Sequence, residues 1–170
     1  GDKVYLSESG SKLIVRVDDL DAANGTIRDN APTNSLVSPE TEGIVNEGDI
    51  RGDEIVFSSG DVYSLASINR GTLRSTGGKV TVSGNGLVSN EGRIDVSNAN
   101  GPGGEVKLLG ERVSVTGTID ASGMDGGGDV VIGGDKVDGS PLREASGVFI
   151  GSQSDIRADA QGTGDGGRVM

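Results

Sequence analysis

The chain has 170 residues and a net charge of −11 at pH 7, from 26 acidic and 15 basic side chains. It contains neither Cys nor His, so catalysis by a thiol or a Ser–His pair and a His-ligated metal site are excluded within it. The acidic balance predicts no nucleic-acid partner and no binding to an anionic membrane. No stretch resembles a signal peptide or a membrane-spanning helix, and we expect no membrane insertion.

The composition favours a protein with a thin core. Hydrophobic residues make up 32% and aromatic residues 2% of the chain, whereas Gly occupies 31 positions. A compact two-layer domain needs bulky side chains between its layers, so here Val, Ile, Leu and Ala must fill a narrow interior, as in a solenoid. High Gly content and net charge also fit disorder. The short, regularly spaced runs of Val and Ile argue against that alternative.

One phrase recurs along the chain: Gly, a polar residue, Ile or Leu, a charged or polar residue, and a small residue. Its apolar centres are Ile27, Ile50, Leu73, Ile94, Ile119 and Ile156, at steps of 23, 23, 21, 25 and 37 residues. Apolar and polar residues alternate, which predicts short strands with one buried face. The next residue of each phrase should then face outward; these residues are Arg28, Arg51, Arg74, Asp95, Asp120 and Arg157. This column is interpreted as a solvated face, with an anion-binding stripe at its three leading arginines as the alternative.

A second phrase, Gly-Gly-x-Val-x-apolar, interleaves with the first. Its valines are Val80, Val106, Val130 and Val169, at steps of 26, 24 and 39 residues. Both phrases share one period and one long step at the same place, which predicts a loop insertion within residues 133–153. A unit of 21–26 residues cannot bury its own apolar face, so the units must stack. The sequence therefore predicts an all-β fold, a parallel β-helix with one coil per repeat and columns of aliphatic side chains inside.

Three asparagines, Asn46, Asn69 and Asn90, each precede the Gly of the first phrase by two residues. An amide repeated at one corner can donate to the coil below and accept from the one above, which satisfies backbone groups of the turn. We interpret these side chains as a structural ladder rather than as ligands. Val115 takes the equivalent place later, so the ladder should stop there.

Residues 104–113 (GEVKLLGERV), 119–123 (IDASG) and 126–135 (GGGDVVIGGD) resemble the filamentous haemagglutinin-like family of large exoproteins. The resemblance covers about 43–135 and 148–170. It implies a right-handed β-helix, export through the two-partner secretion route of Gram-negative bacteria, and an outer-membrane secretion partner of the parent protein. Residues 1–170 are accordingly expected to be one β-helix segment of a longer chain.

The densest Gly and Asp runs raise the question of a calcium site. Asp125, Asp129, Asp135 and Asp138 are weak Ca²⁺ candidates, because carboxylates in flexible loops suit this ion. No calcium-binding repeat or loop motif is present, and Gly and Asp also supply the positive φ angles of tight turns. We therefore expect turns, with no cofactor and no metal.

The expected role is structural: a secreted or cell-surface module that displays loops for attachment or matrix assembly and is not an enzyme. Its partners would be other regions of the same long chain, neighbouring copies, or a host or matrix surface. Two alternatives stay open. One is a self-assembling extracellular filament or sheath subunit. The other is a carbohydrate-active β-helix enzyme that uses paired carboxylates.

Overall fold

A computed structural model of the chain describes residues 13–16, 42–59, 66–134 and 145–170. These residues form short strands joined by tight bends, and none of them belongs to a helix. The strands are short because each repeat must turn three times and still return above its own start. The prediction of an all-β coil is therefore confirmed.

Every pairing between named strands is parallel, and the strands form three sheets. The first sheet, sheet A, contains β1 (Leu13–Arg16), β4 (Glu54–Ser59), β7 (Lys79–Gly84), β10 (Glu105–Leu109), β13 (Asp129–Ile132) and β16 (Arg168–Val169). The second, sheet B, contains β2 (Glu42–Asn46), β5 (Ala66–Asn69), β8 (Leu87–Asn90), β11 (Arg112–Val115) and β14 (Gly147–Ile150). The third, sheet C, contains β3 (Asp49–Arg51), β6 (Thr72–Arg74), β9 (Arg93–Asp95), β12 (Thr118–Asp120) and β15 (Asp155–Arg157).

The chain visits the sheets in a fixed order, B then C then A, and each coil adds one strand to each sheet. Parallel neighbours in a sheet are therefore one repeat apart in sequence, which is the arrangement of a parallel β-solenoid. The right-handed sense of the coil stays a prediction.

The interior is a continuous aliphatic core between the three sheets. Its fully buried members include Leu73, Val80, Ile94, Val106 and Leu108, and one aromatic ring, Phe57, joins them. Burying a side chain of this size stabilises the fold by about 1.5–3 kcal/mol relative to exposure. Most of the stability should therefore come from stacking coils rather than from any single coil.

The predicted insertion within residues 133–153 contains a regular strand. Gly147–Ile150 form β14, which pairs with β11 in unbroken register. Residues 135–144 lie outside the described part of the chain, so the insertion itself stays a prediction.

Candidate functional site

The predicted aliphatic columns can be located strand by strand. Ile50, Leu73, Ile94, Ile119 and Ile156 are consecutive register partners along sheet C. Val80, Val106, Val130 and Val169 are consecutive partners along sheet A. Ile27 lies outside the described residues. Each repeated phrase therefore contributes one aliphatic column to the solenoid.

The three asparagines lie at the corner between sheets B and C. The side-chain nitrogen of Asn46 donates to Asn69 Oδ1 at 2.9 Å, and that of Asn69 donates to Asn90 Oδ1 at 2.8 Å. Asn69 and Asn90 are fully buried. The last amide donates to the backbone oxygen of Thr118 at 3.2 Å, because the next rung, Val115, has no acceptor in its side chain. Each amide thus donates toward the following coil.

A column of glycines runs beside the asparagines, made of Gly48, Gly71, Gly92 and Gly117. A Cβ atom on any of the last three would collide with the carbonyl oxygen of the preceding glycine in the column. Their φ angles lie outside the left-handed region, in contrast to Gly77 (φ 61°). This column therefore contains Gly because the coils approach closely, and only a hydrogen atom fits between them.

The described arginines of the charged column beside the first ladder are exposed, as the predicted solvated face requires, and one acid of the column is not. Arg51, Arg74, Asp95, Asp120 and Arg157 are register partners in that order, and Arg28 lies outside the described residues. Each of the three described arginines has an acid beside it. Asp49 and Asp155 lie next to Arg51 and Arg157, and Asp95 contacts Arg74 at 2.9 Å. These pairs disfavour the anion-binding stripe, since the guanidinium groups already have carboxylate partners.

Asp95 is the most enclosed acid of this column, with 7% of its side chain exposed. The prediction that it belongs to a solvated face is wrong, because neighbouring polar groups cover it. Ser97 donates to Asp95 Oδ1 from its hydroxyl at 2.7 Å and from its backbone nitrogen at 3.1 Å. Arg74 and Arg93 donate to Oδ2 at 2.9 and 3.1 Å. Burial alone would raise the pKa of this carboxyl, but the hydrogen bonds from Ser97 and Arg93 outweigh it and lower the pKa.

This lowered pKa predicts a pH-dependent contribution to stability. Asp95 stabilises the fold above the pKa that it has in the unfolded chain, and the contribution disappears as pH falls through its lower folded pKa. We expect Asp95→Asn to lower the free energy of unfolding by about 2 kcal/mol at pH 7. The difference between variant and parent should shrink below pH 4, as measured by urea unfolding across a pH series. Asp49→Asn, at an exposed pair, is the matched control and should lower the free energy of unfolding far less than Asp95→Asn does. A difference for Asp95→Asn that is independent of pH would contradict the assignment.

Two of the four calcium candidates, Asp125 and Asp129, lie in the described part of the chain. Asp129 begins β13 and accepts a hydrogen bond from Arg168 at 3.0 Å, whereas Asp125 lies in a bend before it. Asp135 and Asp138 lie outside the described residues. Within the part of the chain that the structure describes, no group of three metal-ligating side chains occurs.

An apolar groove on the outer face of sheet B was missed by the sequence reasoning. It has a volume of about 270 Å³ and runs across β8, β11 and β14, where Leu87, Arg112, Ser114, Val148 and Phe149 line it. Phe149 was placed in the predicted insertion, so its strand position was overlooked. The available signal was the run Val-Phe-Ile after Gly147, three consecutive apolar residues of high β-propensity.

None of the described residues provides a helix of the length and apolarity that a membrane span requires. Comparison of the chain with known protein families, with curated proteins and with solved structures gave no match.

Proposed function

We propose that this chain is a structural display module of a secreted or cell-surface bacterial exoprotein. It acts as a rigid rod that holds loops away from the cell for attachment or matrix assembly, and it has no catalytic role. The observation that carries the proposal is the unbroken register of the Ile50–Ile156 column along sheet C. A rod of this kind extends by about 4.8 Å per coil.

Rigidity is the property that display at a distance needs, and the corners support it. The buried amides of Asn46, Asn69 and Asn90 bond to one another, and among the described residues no buried side-chain polar atom lacks a partner. A coil therefore cannot tilt without breaking hydrogen bonds in a nonpolar environment, which costs about 1–3 kcal/mol per group.

The acids of the outer face support a structural role over carbohydrate cleavage. Asp95 is held by Arg74 and Arg93, and Asp120 lies 3.7 Å from Arg93. A general acid needs a raised pKa, whereas the hydrogen bonds from Ser97 and Arg93 outweigh burial and lower the pKa of Asp95. The resemblance of 104–113 and 126–135 to large exoproteins adds support for an exported module.

Surface display can be tested on the bacterium that encodes the chain. Antibodies raised against the purified 170-residue chain should label intact cells or their extracellular matrix in immunogold electron microscopy, and protease added to intact cells should remove the label. A cytoplasmic protein of the same cell is the control, and it should stay unlabelled until the cells are lysed. Label that appears only after lysis would overturn the proposal.

A further inference from the structure

Among the described residues, two asparagines are followed directly by glycine, and the fold holds the two pairs differently. Asn85 and Gly86 form the bend between β7 and β8, whereas Asn100 and Gly101 lie in the longer connection 96–104 between β9 and β10. An asparagine before glycine is chemically labile, because glycine has no Cβ to shield its backbone nitrogen from the asparagine side chain. Which of the two pairs reacts in the folded chain therefore depends on how firmly each backbone is held.

The bend at Asn85 is fixed by strand pairing on both sides. Gly84 is the last residue of β7 and Leu87 is the first residue of β8, so little backbone is left to rotate between them. The next coil also holds the bend, since Gly86 O accepts a hydrogen bond from Arg112 N at 3.0 Å. Ring closure by the asparagine side chain requires rotation of the backbone, which here would break contacts with the next coil.

The turn at Asn100 is held by weaker contacts. Ala99 and Asn100 are both exposed, and neither belongs to a strand. Asn100 N donates to Asn98 Oδ1 at 3.1 Å in an exposed Asx turn, and Gly101 O accepts a long hydrogen bond of 3.3 Å from Asp125 N. The Asn100 side chain can therefore turn toward the nitrogen of Gly101 without breaking a pairing between named strands.

We propose that Asn100 and Gly101 form a site of spontaneous covalent modification, at which Asn100 converts to isoaspartate and aspartate. The Gly101 nitrogen loses its proton to hydroxide and bonds to Asn100 Cγ, and the side-chain nitrogen leaves as ammonia. Water then opens the resulting succinimide ring at one of its two carbonyl carbons, which gives isoaspartate or aspartate. Each conversion consumes a water molecule and releases ammonia, and it needs no oxidant or enzyme, because the nucleophile is already beside its target.

The isoaspartyl product changes the corner between sheets C and A. It adds a methylene group to the backbone between two carbonyls that accept hydrogen bonds from the next coil. Asn98 O accepts from Met124 N at 3.0 Å, and Gly101 O accepts from Asp125 N at 3.3 Å. Both bonds cannot keep their geometry after the insertion, whereas β9 and β10 keep their register partners. The rod of the proposed surface module would therefore loosen locally with age, although the conversion itself does not depend on where the chain is located.

Tryptic peptides 80–93 and 94–107 form a matched pair for the test, because each contains two asparagines, one of them before glycine. The folded 170-residue chain is incubated in mildly alkaline buffer, and mass spectrometry with electron-transfer fragmentation locates isoaspartate in each peptide. We expect Asn100 to convert about tenfold faster than Asn85, which is the effect of one hydrogen bond that must first break. In urea, where the fold is lost, the two asparagines should convert at similar rates. Asn100→Gln should remove the fast conversion from 94–107.

Amide hydrogen exchange tests the structural consequence in the same samples. After conversion the amides of Met124 and Asp125 should exchange faster than in fresh protein, and the aged Asn100→Gln variant should show no such change. Equal rates for the two asparagines in the folded chain, or faster conversion at Asn85, would overturn the proposed site. Conversion without faster exchange at Met124 and Asp125 would overturn the loosening of the corner. Absence of the exterior antibody label is a separate result that concerns the proposed function alone.

Discussion

Replacing Gly92 by Ala is expected to unfold the chain or to lower its free energy of unfolding by about 4 kcal/mol or more. A Cβ at this position would overlap Gly71 O and lie 2.6 Å from both carbonyl atoms of Arg70. These are backbone atoms of the neighbouring coil, so no rotamer change relieves the contact. The two coils would have to separate, which would break the pairing of β6 with β9 and open the core beside Ile94.

The matched control is Gly48→Ala in the same column. Among the residues that the structure describes, the atom nearest to its added Cβ is Asn46 Oδ1 at 3.9 Å, which is an ordinary van der Waals distance. This variant should change the free energy of unfolding by less than about 1 kcal/mol. Urea unfolding followed by circular dichroism measures both variants. Similar losses for the two alanines would show that the glycines serve turn conformation rather than close approach of the coils.

Asn69→Ala is expected to lower the free energy of unfolding by about 3 kcal/mol. The substitution removes the middle amide of the ladder. The Asn46 nitrogen then loses its bond to Asn69 Oδ1, and Asn90 Oδ1 loses the donor nitrogen of Asn69. The Asn46 nitrogen and Asn90 Oδ1 both lie in buried side chains, so water cannot replace the lost partner without opening the corner.

Asn100→Ala provides the comparison for this effect, since Asn100 is exposed in a turn that follows β9. Thermal and urea unfolding should place this variant within about 0.5 kcal/mol of the parent. If Asn69→Ala is as stable as Asn100→Ala, the amide ladder contributes nothing measurable to the corner.

The coil architecture could be predicted from the sequence alone because a solenoid has the same period in its structure and in its sequence. Residues that share a column must recur once per coil, so Ile50, Leu73 and Ile94 are visible as a repeat before any coordinates exist. The same periodicity identified Asn46, Asn69 and Asn90 as members of one column. The end of the amide ladder at Val115 could also be predicted, since a valine side chain cannot continue a hydrogen-bonded column.

Features that depend on contacts between residues of different columns could not be predicted from the repeat. Asp95 occupies a position in the repeat that also accommodates Arg74 and Asp120, so its position alone suggests a solvated face. Its enclosure depends on hydrogen bonds from Ser97, on Arg74 of the preceding coil and on Arg93 of its own strand. The close approach at Gly92 was equally hidden, because a glycine needed for space and one needed for a turn look the same in a sequence.

The groove beside Phe149 was missed for a third reason. The step from Ile119 to Ile156 is longer than the others, and the extra residues could be assigned to any point of that coil. Pairing of β14 with β11 shows that Gly147–Ile150 belong to sheet B. The irregular coil therefore places an aromatic side chain beside Arg112, where the repeat pattern predicted only a loop.

Successive coils lie directly above one another in register, and a distance along one column tests this directly. The chain has no Cys, so spin labels can be attached at two engineered cysteines in Arg51→Cys/Arg157→Cys, both at exposed positions of sheet C. These positions lie on the same column and are four coil spacings apart, since Arg51, Arg74, Asp95, Asp120 and Arg157 are consecutive partners. Double electron–electron resonance should give a narrow distribution of distances between the two labels near 19 Å, which is about four times 4.8 Å. A broad distribution, or one centred beyond about 30 Å, would contradict the stacked solenoid.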